Sequence, residues 1–466
     1  MDDPPVPGGL LAALRSVVEA RTGASPGYWI GPGRGPFDRD WVDLNGNETI
    51  ETSAGPLHHR RLFFSEATWS DFYAAVANGF LWPLLHLVRH DLPAITGYYP
   101  MPRQALASEW ASFRDSNLAF ASAAAALPNV GHAWIHDYQL GLVPRYLRET
   151  GFDAPIGFFL HTPFPDGGIV SRILSPQAAA HFREWCEGIL GADLVGFQTR
   201  EDLDRFRHAV ATLGAQTDGE QLTWQGRRVR LGVHPVGVDE GPIRAALDAE
   251  IVAAPIIQGI GSGPLPVVVA LERADYTKGI PERHRAIARA FQDGQRFSYI
   301  GVSAPTRRGV AGYSALSEQI DSATEEAVES ARTVGMHFDY RLEAIPWAEV
   351  MTLLALADVV FISSLADGMN LVPLQAVLCQ SRKHAHLRGC ILAGRDVGVS
   401  STYSEFVGSG LMTIEPTDIQ ATAAALGHAI AGGAGRMSDE FVAGVRAHSA
   451  GHWAARFIAE LEATRC

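Results

Sequence analysis

The chain has 466 residues, a hydrophobic fraction of 47% and a formal net charge of −13. This length suggests two or three domains, since a domain commonly holds about 100–200 residues. The acidic charge argues against nucleic acid as the main partner, and no apolar run is long enough to predict a transmembrane helix. The acidic, proline-rich N-terminus and four cysteines without CxxC spacing favour a cytoplasmic protein.

The first half of the chain alternates short apolar runs with amphipathic stretches. Apolar runs of this length predict buried strands, and the stretches between them predict helices, which together indicate a parallel sheet covered on both faces. The predicted strands are HAWIHDY (132–138), APIGFFLH (154–161) and GADLVGF (191–197), and the predicted helices are LVPRYLRE (142–149) and AHFREWCEGIL (180–190).

Glycine and proline become frequent between residues 236 and 265, where VGVDEGP and IIQGIGSGPLP indicate a domain boundary. The same alternation of strands and helices then restarts. Strands are predicted at 266–272, 297–303, 357–363, 389–394 and 410–416. Helices are predicted from Pro281, after an N-cap at Thr417 or Asp418, and over the tail HWAARFIAELEA.

These patterns predict an α/β protein with two doubly wound, Rossmann-like domains that face a cleft. We assign residues 1–240 to the N-terminal domain, 241–445 to the C-terminal domain and 446–466 to a C-terminal helix. Ligands of such sheets bind at the carboxyl ends of the strands. Polar residues that directly follow a predicted strand are therefore the candidates for a binding site.

One such junction is ADVVFISSLADGMNLV, where Asp367 follows a predicted strand and precedes a predicted helix. The N–H groups of a first helical turn are unpaired and the helix dipole is positive there. Glycine lets a ligand approach the backbone, so residues 368–371 suit a phosphate or a sugar hydroxyl. A carboxylate repels phosphate, so Asp367 suits sugar hydroxyls or a developing positive charge. The alternative is that Asp367 caps the helix.

A second junction, ALERADYTKGIPER, places Arg273 and Lys278 in a loop between a predicted strand and a predicted helix. Two cations at such a site suit a diphosphate, because an arginine can grip two oxygens while a lysine adds a mobile point charge. The alternative is a solvated loop with ordinary basic residues. Arg307 and Arg308 follow the next strand in SAPTRRG, and either could face water.

Taken together, these stretches resemble the trehalose-6-phosphate synthase family of retaining glycosyltransferases, which have the GT-B fold. The resemblance covers nearly the whole chain, and its seven motifs occur in the order found in the family. They are GGLLAAL (8–14), YAAVANGFLWP (73–83), WIHDYQL (134–140), IGFFLHTPFP (156–165), ADLVGFQT (192–199), LERADYTKGIPER (271–283) and LADGMNLV (365–372).

For the donor, the resemblance implies that Arg273 and Lys278 bind the diphosphate of a nucleotide-activated glucose. His161 is implied as a contact of the glucose, and Asp367 holds glucose and phosphate together with Gly368, Met369, Asn370 and Leu371. Gly8 and Gly9 match a loop that closes over the donor. Gln375 stands where the family has a glutamate for the ribose hydroxyls, and an amide brings no charge. The catalytic candidates are Asp367, His161, Arg273 and Lys278.

For the acceptor, glucose 6-phosphate, the resemblance implies contacts with Tyr73, Trp82 and Asp137, and it implies that Arg308 reaches toward the phosphate. The alternative for the two aromatic residues is core packing, and for Asp137 and His161 it is structural hydrogen bonding. The N-terminal sequence shows no counterpart of the family's Ser-Asn-Arg strand end. We therefore expect weak acceptor binding, unless a cation such as Arg307 or Arg34 replaces that arginine.

The expected reaction is glucosyl transfer from UDP- or GDP-glucose to glucose 6-phosphate, giving α,α-trehalose 6-phosphate. No metal and no cofactor are expected, and the C-terminal helix is expected to return to the N-terminal domain. Transfer to a glycerol or cyclitol phosphate and a degenerate nucleotide-sugar-binding protein remain alternatives. A glycoside hydrolase with Asp137 and Asp367 as its carboxyl pair is another, although two cations suit a neutral glycoside poorly. Monomer and homo-oligomer both stay open.

Overall fold

The structure is a computed structural model that describes residues 27–35, 37–52, 55–249, 265–307 and 313–465. The described residues form two compact units. The N-terminal unit holds the described chain up to His90, then Met101–His234 and the chain from Gly451 onward. The C-terminal unit holds Asp91–Pro100 and Pro235–Ala450. The short segment 91–100 therefore packs with residues that lie far from it in the sequence.

The main sheet of the N-terminal unit has six strands in the order β4-β5-β6-β9-β8-β7. The first four strands of this order are parallel, and β8 and β7 extend the sheet in antiparallel pairing. The strands are β4 Ala133–His136, β5 Ile156–Phe159, β6 Leu194–Phe197, β7 Gln216–Asp218, β8 Gln221–Trp224 and β9 Arg227–Val233. The three strands predicted in this half of the chain are confirmed, while the antiparallel edge was not predicted.

A small sheet at the start of the described chain was also not predicted. Its order is β1-β3-β2, with β1 Gly27–Pro32 parallel to β3 Gly55–Leu62 and β2 Asn47–Thr52 antiparallel to it. Few residues of its strands are fully buried, and two of the three strands are rich in polar, charged or imidazole side chains, as in NETIET and GPLHHRRL. The apolar runs on which the strand predictions relied are absent from these segments.

The helices of the N-terminal unit include an unusual segment, a π-helix over Ser70–Leu81. π-Helical backbone is rare and is found most often near functional sites. The α-helices of this unit are Glu66–Trp69, Trp82–Leu85, Ala107–Ala125, Val143–Glu149, Gly167–Ile173, Pro176–Ile189, Arg200–Thr212 and Ala450–Ala463. The last of them packs on the main sheet, where the Phe457 ring stacks on Trp134 with ring centroids 4.6 Å apart.

The C-terminal unit is built on one fully parallel sheet in the order β12-β11-β10-β13-β14-β15. The strands are β10 Val267–Arg273, β11 Ser298–Ala304, β12 Phe338–Arg341, β13 Val359–Ile362, β14 Cys390–Gly394 and β15 Leu411–Ile414. The helices are Leu92–Thr96, Glu240–Asp248, Ile280–Gln292, Tyr313–Val334, Trp347–Leu356, Leu371–Gln380, Gly398–Thr402, Ile419–Ile430 and Asp439–Ala447.

Strand β10 was predicted from a continuous apolar run, and its burial explains that run. Successive side chains of a strand point to opposite faces of the sheet, and Val269 and Leu271 enter one core cluster while Val268 and Ala270 enter the other. The sheet is therefore buried on both faces, as expected of a parallel sheet covered by helices. The predicted N-cap at Asp418 is confirmed, because its carboxylate accepts the Ala421 N–H at 2.9 Å.

In the described ranges we find no helix long and apolar enough to cross a membrane.

Candidate active site

The loop after β13 carries Asp367 at the carboxyl end of the C-terminal sheet. The carboxylate of Asp367 forms an ion pair with the Lys278 ammonium and accepts hydrogen bonds from Ser364 Oγ at 3.2 Å and Asn370 Nδ2 at 3.0 Å. The side chains of Asp367 and Lys278 are 12% and 11% exposed. The two junctions singled out from the sequence therefore meet at one place. An ammonium has three N–H bonds, so the pair with Asp367 leaves Lys278 further donor directions.

The cap of the following helix, Leu371–Gln380, is Asn370 rather than Asp367. Asn370 Oδ1 accepts the Val372 N–H at 3.2 Å, and Asn370 has a φ of 55°. A positive φ is uncommon outside glycine, although asparagine tolerates it best, and such strain is found most often at functional sites. The helix-cap alternative for Asp367 is therefore wrong.

The first turn of this helix leaves main-chain donors available. The N–H groups of residues 368–371 donate to no atom of the described residues, as is usual for the start of a helix. Gln375 is buried in the same helix. The turn thus presents N–H groups beside a carboxylate whose charge Lys278 balances. Such a turn can bind a phosphate oxygen or a sugar hydroxyl.

The loop that carries Lys278 is joined directly to the loop that carries Asp367. Leu365 N–H donates to Thr277 O at 2.7 Å, and Ser363 Oγ donates to Lys278 O at 2.8 Å. Gly279, which follows Lys278, has a φ of 60°, and a Cβ there would lie 2.2 Å from Ser363 O. A larger residue at position 279 would force the two loops apart.

A buried arginine supports both loops from below. Arg283 grips the Glu272 carboxylate with two N–H···O bonds of 2.9 and 2.5 Å, and it also donates to Ser363 Oγ at 2.8 Å and Tyr299 Oη at 3.0 Å. Burial alone would lower the pKa of Arg283, but the Glu272 charge and its hydrogen bonds raise it above its usual range. The guanidinium, as a permanent cation, therefore ties together β10, β11 and the loop after β13.

A second buried pair fixes the turn before Lys278. Asp275 is fully buried and accepts from Arg307 Nη1 at 2.9 Å, Tyr313 Oη at 2.7 Å and Thr277 N at 3.1 Å. Burial acts to raise the pKa of Asp275, but the charges of Arg307 and Arg273 outweigh it and hold that pKa below its usual range. The Arg307 side chain is 6% exposed and therefore does not face water. The half-buried Arg273 lies at the end of β10.

On the N-terminal unit, Asp137 follows β4 and His161 follows β5, and the two are in contact. The main-chain N–H of His161 donates to Asp137 Oδ1 at 3.3 Å, and the main-chain N–H of Asp137 donates to Phe159 O at 2.8 Å. Asp137 has a φ of 72° and a ψ of 168°, a strained region for a residue with a side chain. The backbone hydrogen bonds on both sides hold this conformation.

The His161 ring lies between two other polar groups of the N-terminal unit. His161 Nε2 is 3.1 Å from His136 Nδ1, and His161 Nδ1 is 3.5 Å from Gln198 Nε2. With a proton on Nε2, a neutral His161 would donate to His136 Nδ1 and would accept the Gln198 amide N–H at Nδ1. Burial, and then the neighbouring His136, lower the pKa of His161 well below its usual value, and burial lowers that of His136 to about 3. Both imidazoles are neutral near pH 7.

Tyr73 and Trp82 lie at the beginning and just past the end of the π-helix. Tyr73 is half-buried and stacks on Trp69 with ring centroids 5.0 Å apart. The Arg34 guanidinium lies 4.8 Å from the centroid of the Trp69 ring. Trp82 is 6% exposed and contacts the Tyr138 ring at 5.6 Å. Core packing accounts for most of the Trp82 surface, and the acceptor roles of Tyr73 and Trp82 stay predictions.

Three predicted site residues, Gly8, Gly9 and Arg308, lie outside the described residues. Of the cations considered as substitutes for the family arginine, Arg307 is engaged by Asp275, and Arg34 donates to Glu66 Oε1 at 3.1 Å. Within the described ranges no group of three or more His, Cys, Asp or Glu residues could hold a metal ion. The expectation of metal-independent chemistry stays a prediction.

Comparison with known proteins gives the family. The family model described as glycosyltransferase family 20 matches residues 6–463. The chain belongs to glycosyltransferase family 20. It is 30% identical over 444 residues to a bifunctional trehalose-6-phosphate synthase/phosphatase of Thermoproteus tenax, covering 91% of this chain and 55% of the relative. It is also 30% identical to a trehalose-6-phosphate synthase of Mycolicibacterium gilvum, covering 86% of this chain and 76% of the relative.

The chain spans about half the length of several of these relatives, including 52% of an α,α-trehalose-phosphate synthase of Dictyostelium discoideum, which is 28% identical over 86% of this chain. Among solved structures, an α,α-trehalose-phosphate synthase from Burkholderia xenovorans in complex with glucose 6-phosphate superposes with a TM-score of 0.82 at 23% identity, covering 98% and 96% of the two chains. The resemblance to the trehalose-6-phosphate synthase family and the predicted fold class are therefore confirmed.

Several residues of the C-terminal site were not predicted from the sequence, namely Glu272, Asp275, Arg283, Ser363 and Tyr313. The first three lie inside the motif LERADYTKGIPER, so the motif itself was the signal that more than two of its residues have a role. His136 similarly lies inside WIHDYQL. Ser363 ends the predicted strand 357–363 but was not singled out, and no local pattern identifies Tyr313. The partners of both residues lie far away in the sequence.

Proposed function

We propose that this protein is a retaining glucosyltransferase that transfers glucose from UDP-glucose to glucose 6-phosphate and releases α,α-trehalose 6-phosphate. Family membership and the names of the relatives support this proposal. Among them, the relative from Dictyostelium discoideum is named as UDP-forming. One observation carries the proposal. Lys278 and Asp367 lie together beside the unpaired N–H groups of residues 368–371.

The donor fits this arrangement by charge. A nucleoside diphosphate leaves with growing negative charge, which fixed cations and N–H groups stabilise without reorganising. Lys278 and Arg273 supply the cations, and residues 368–371 supply the N–H groups. A carboxylate repels a phosphate, so we assign Asp367 to the glucose hydroxyls.

The transfer itself needs no nucleophile from the protein. The bond between glucose C1 and the phosphate oxygen breaks, and the anomeric hydroxyl of glucose 6-phosphate forms a new bond to C1 from the same face. Its proton moves to the departing phosphate oxygen. We place His161 near the glucose as a neutral hydrogen-bonding group, consistent with its lowered pKa.

The acceptor side is assigned to Tyr73, Trp82 and Asp137 of the N-terminal unit. A sugar ring stacks its apolar face on an aromatic ring, and a carboxylate accepts from its hydroxyls. We assign the acceptor phosphate to Arg308. Arg308→Ala should therefore raise the acceptor KM and leave UDP affinity unchanged.

A donor-by-acceptor matrix tests the proposal. UDP- and GDP-glucose are each offered with glucose 6-phosphate, glycerol 3-phosphate and a cyclitol phosphate, and products are identified by mass. The proposed function gives trehalose 6-phosphate. Transfer only to glycerol 3-phosphate or the cyclitol phosphate would replace it with a related phospho-acceptor transferase.

The same matrix with Asp367→Asn separates catalysis from binding. Turnover should fall while the affinity for UDP stays close to that of the parent protein, because the amide keeps the shape but loses the charge. Release of free glucose without an acceptor would point to hydrolysis instead. Binding of UDP with no product from any acceptor would indicate a nucleotide-sugar-binding protein.

A further inference from the structure

The segment Asp91–Pro100 packs with the C-terminal unit, although the chain on either side of it belongs to the N-terminal unit. It contains the helix Leu92–Thr96, whose C-cap is Gly97 with a φ of 72°. Thr96 Oγ1 donates to Leu92 O at 2.8 Å and accepts the Tyr99 N–H at 3.1 Å. These bonds give the segment a fixed turn that presents Tyr98 and Tyr99 side by side. We call residues 91–100 the strap.

Tyr98 binds the helix that follows the Lys278 loop. Its hydroxyl donates to the Glu282 carboxylate, which lies in the first turn of the helix Ile280–Gln292. Tyr98 and Glu282 are 3% and 4% exposed. Burial raises the pKa of Glu282, while the hydrogen bond from Tyr98 acts in the opposite direction. Tyr98 is thus the partner that lets this carboxylate lie inside the protein.

Tyr99 binds the other side of the same loop. Its ring meets the Tyr276 ring edge-on at 5.1 Å, and Tyr276 in turn packs against Tyr313 at 5.3 Å. Tyr276 lies between Asp275, which Tyr313 and Arg307 hold, and Lys278. The Lys278 N–H also donates to Asp275 O at 3.0 Å. The strap therefore contacts the turn before Lys278 through Tyr99 and the helix after it through Tyr98.

We propose that Tyr98 and Tyr99 are positioning residues that hold the Lys278 ammonium against Asp367. Neither tyrosine has to touch a substrate. Together they contact Tyr276 before Lys278 and Glu282 after it, which restrains the Lys278 loop beside the Asp367 loop. The role of Lys278 as a diphosphate ligand rests on the proposed function, whereas the placement of Lys278 by the strap does not.

The sequence offers a direct measurement of Lys278 placement, because the chain contains only two lysines, Lys278 and Lys383. Lys278 is nearly buried and ion-paired, so an amine-acylating reagent should modify it slowly. Lys383 lies in the same unit and serves as an internal reference. In Tyr98→Phe and Tyr99→Leu, the acylation rate of Lys278 relative to Lys383 should rise about tenfold, which corresponds to about 1.4 kcal/mol. Peptide mass spectrometry reads both sites in one sample.

Global unfolding would also expose Lys278, which is more protected than Lys383, so the ratio is interpreted together with the unfolding midpoint of each variant. An unchanged ratio would overturn the proposal, and so would a rise that an equally destabilised variant outside the strap also shows. Tyr146→Phe, which removes the hydroxyl of a buried tyrosine of the N-terminal unit, should leave the ratio unchanged. The thermal unfolding midpoint of each variant completes the set.

Calorimetric titration with UDP adds the functional readout. The dissociation constant should rise about tenfold in both strap variants and stay constant in Tyr146→Phe. If the parent protein fails to bind UDP, the proposed function is wrong, yet the lysine ratio still tests the strap. If UDP affinity falls while the ratio is unchanged, the strap acts on something other than Lys278 and the inference is wrong.

Discussion

The candidate site residues of the C-terminal unit are held by paired charges, whereas those of the N-terminal unit are held by ring packing and a strained backbone. Arg283 with Glu272, Arg307 with Asp275 and Lys278 with Asp367 form three ion pairs within a short stretch of the C-terminal unit. On the N-terminal unit the corresponding places hold neutral imidazoles and aromatic rings.

This difference matches the chemistry that each side is proposed to bind. A diphosphate carries fixed negative charge and needs cations whose positions do not relax. The ring of a hexose is neutral and is recognised by apolar contact and a few hydrogen bonds. The two units should therefore be sensitive to different changes. The ion pairs of the C-terminal unit should be sensitive to loss of either partner, and the packed rings of the N-terminal unit should be sensitive to protonation of their imidazoles.

Removing the buried arginine should have the largest effect. Arg283→Met leaves Glu272 buried without its cation, and breaking one side of a buried ion pair costs about 3–5 kcal/mol. Denaturant unfolding monitored by fluorescence measures the loss. Arg289→Met breaks a half-exposed pair with Asp293 in the same helix and should cost about 1 kcal/mol or less. Equal losses in both variants would contradict the view that the buried pair organises this unit.

Removing the lysine of the site should have the next largest effect. Lys278→Ala should weaken UDP and GDP binding by about 1.5–3 kcal/mol, the size of a hydrogen bond to a charged group, or roughly tenfold to a hundredfold in affinity. Calorimetry measures it, and Lys383→Ala is the matched control. Unchanged affinity for both nucleotides in Lys278→Ala would remove this residue from the site.

The imidazoles of His136 and His161 should make the stability of the protein depend on pH. The folded pKa of His136, about 3, lies below its ordinary value of 6.5, so the unfolded chain binds the proton first as the pH falls. The contribution of His136 is therefore fully present above pH 6.5 and is lost as the pH falls toward 3. The loss is at most about 1.4 kcal/mol per pH unit for one proton.

The measurement compares the parent protein with His136→Phe. The free energy of unfolding is determined by urea titration at several pH values between 7.5 and 5. Below pH 6.5 the parent should lose more stability per pH unit than the variant. Parallel curves would show that the His136 ring is as accessible to protons in the folded protein as in the unfolded chain.

The sequence predicted those parts of the fold that depend on local apolar runs. β10, β11 and β13 are buried on both faces, so their strands read as continuous apolar segments, and their bounds are right to within two residues. The sheet β1-β3-β2 is poorly buried and gave no such signal. No helix was predicted over the π-helix Ser70–Leu81, and residue type alone does not reveal a change of hydrogen-bond spacing.

For the candidate site, the sequence identified residues that lie within motifs but not the partners that hold them. Lys278 and Asp367 were both predicted, yet their ion pair joins residues 89 positions apart. Tyr98 lies 184 positions from Glu282, and Tyr313 lies 38 from Asp275. Contacts at such separations depend on which strands are neighbours in the sheet, and strand order is not written in any local pattern.

The bonds between the two loops of the C-terminal site also determine how this region opens. Leu365 N–H donates to Thr277 O, and Asp367 N–H donates to Asp396 O in the loop after β14. These amides cannot exchange with solvent hydrogen until neighbouring loops separate, and Arg283 ties those loops to the sheet below. Loops usually exchange quickly by local fluctuation, but these should exchange as slowly as the central strands. These loops are therefore already ordered before a ligand binds, and the protein loses little conformational entropy on binding.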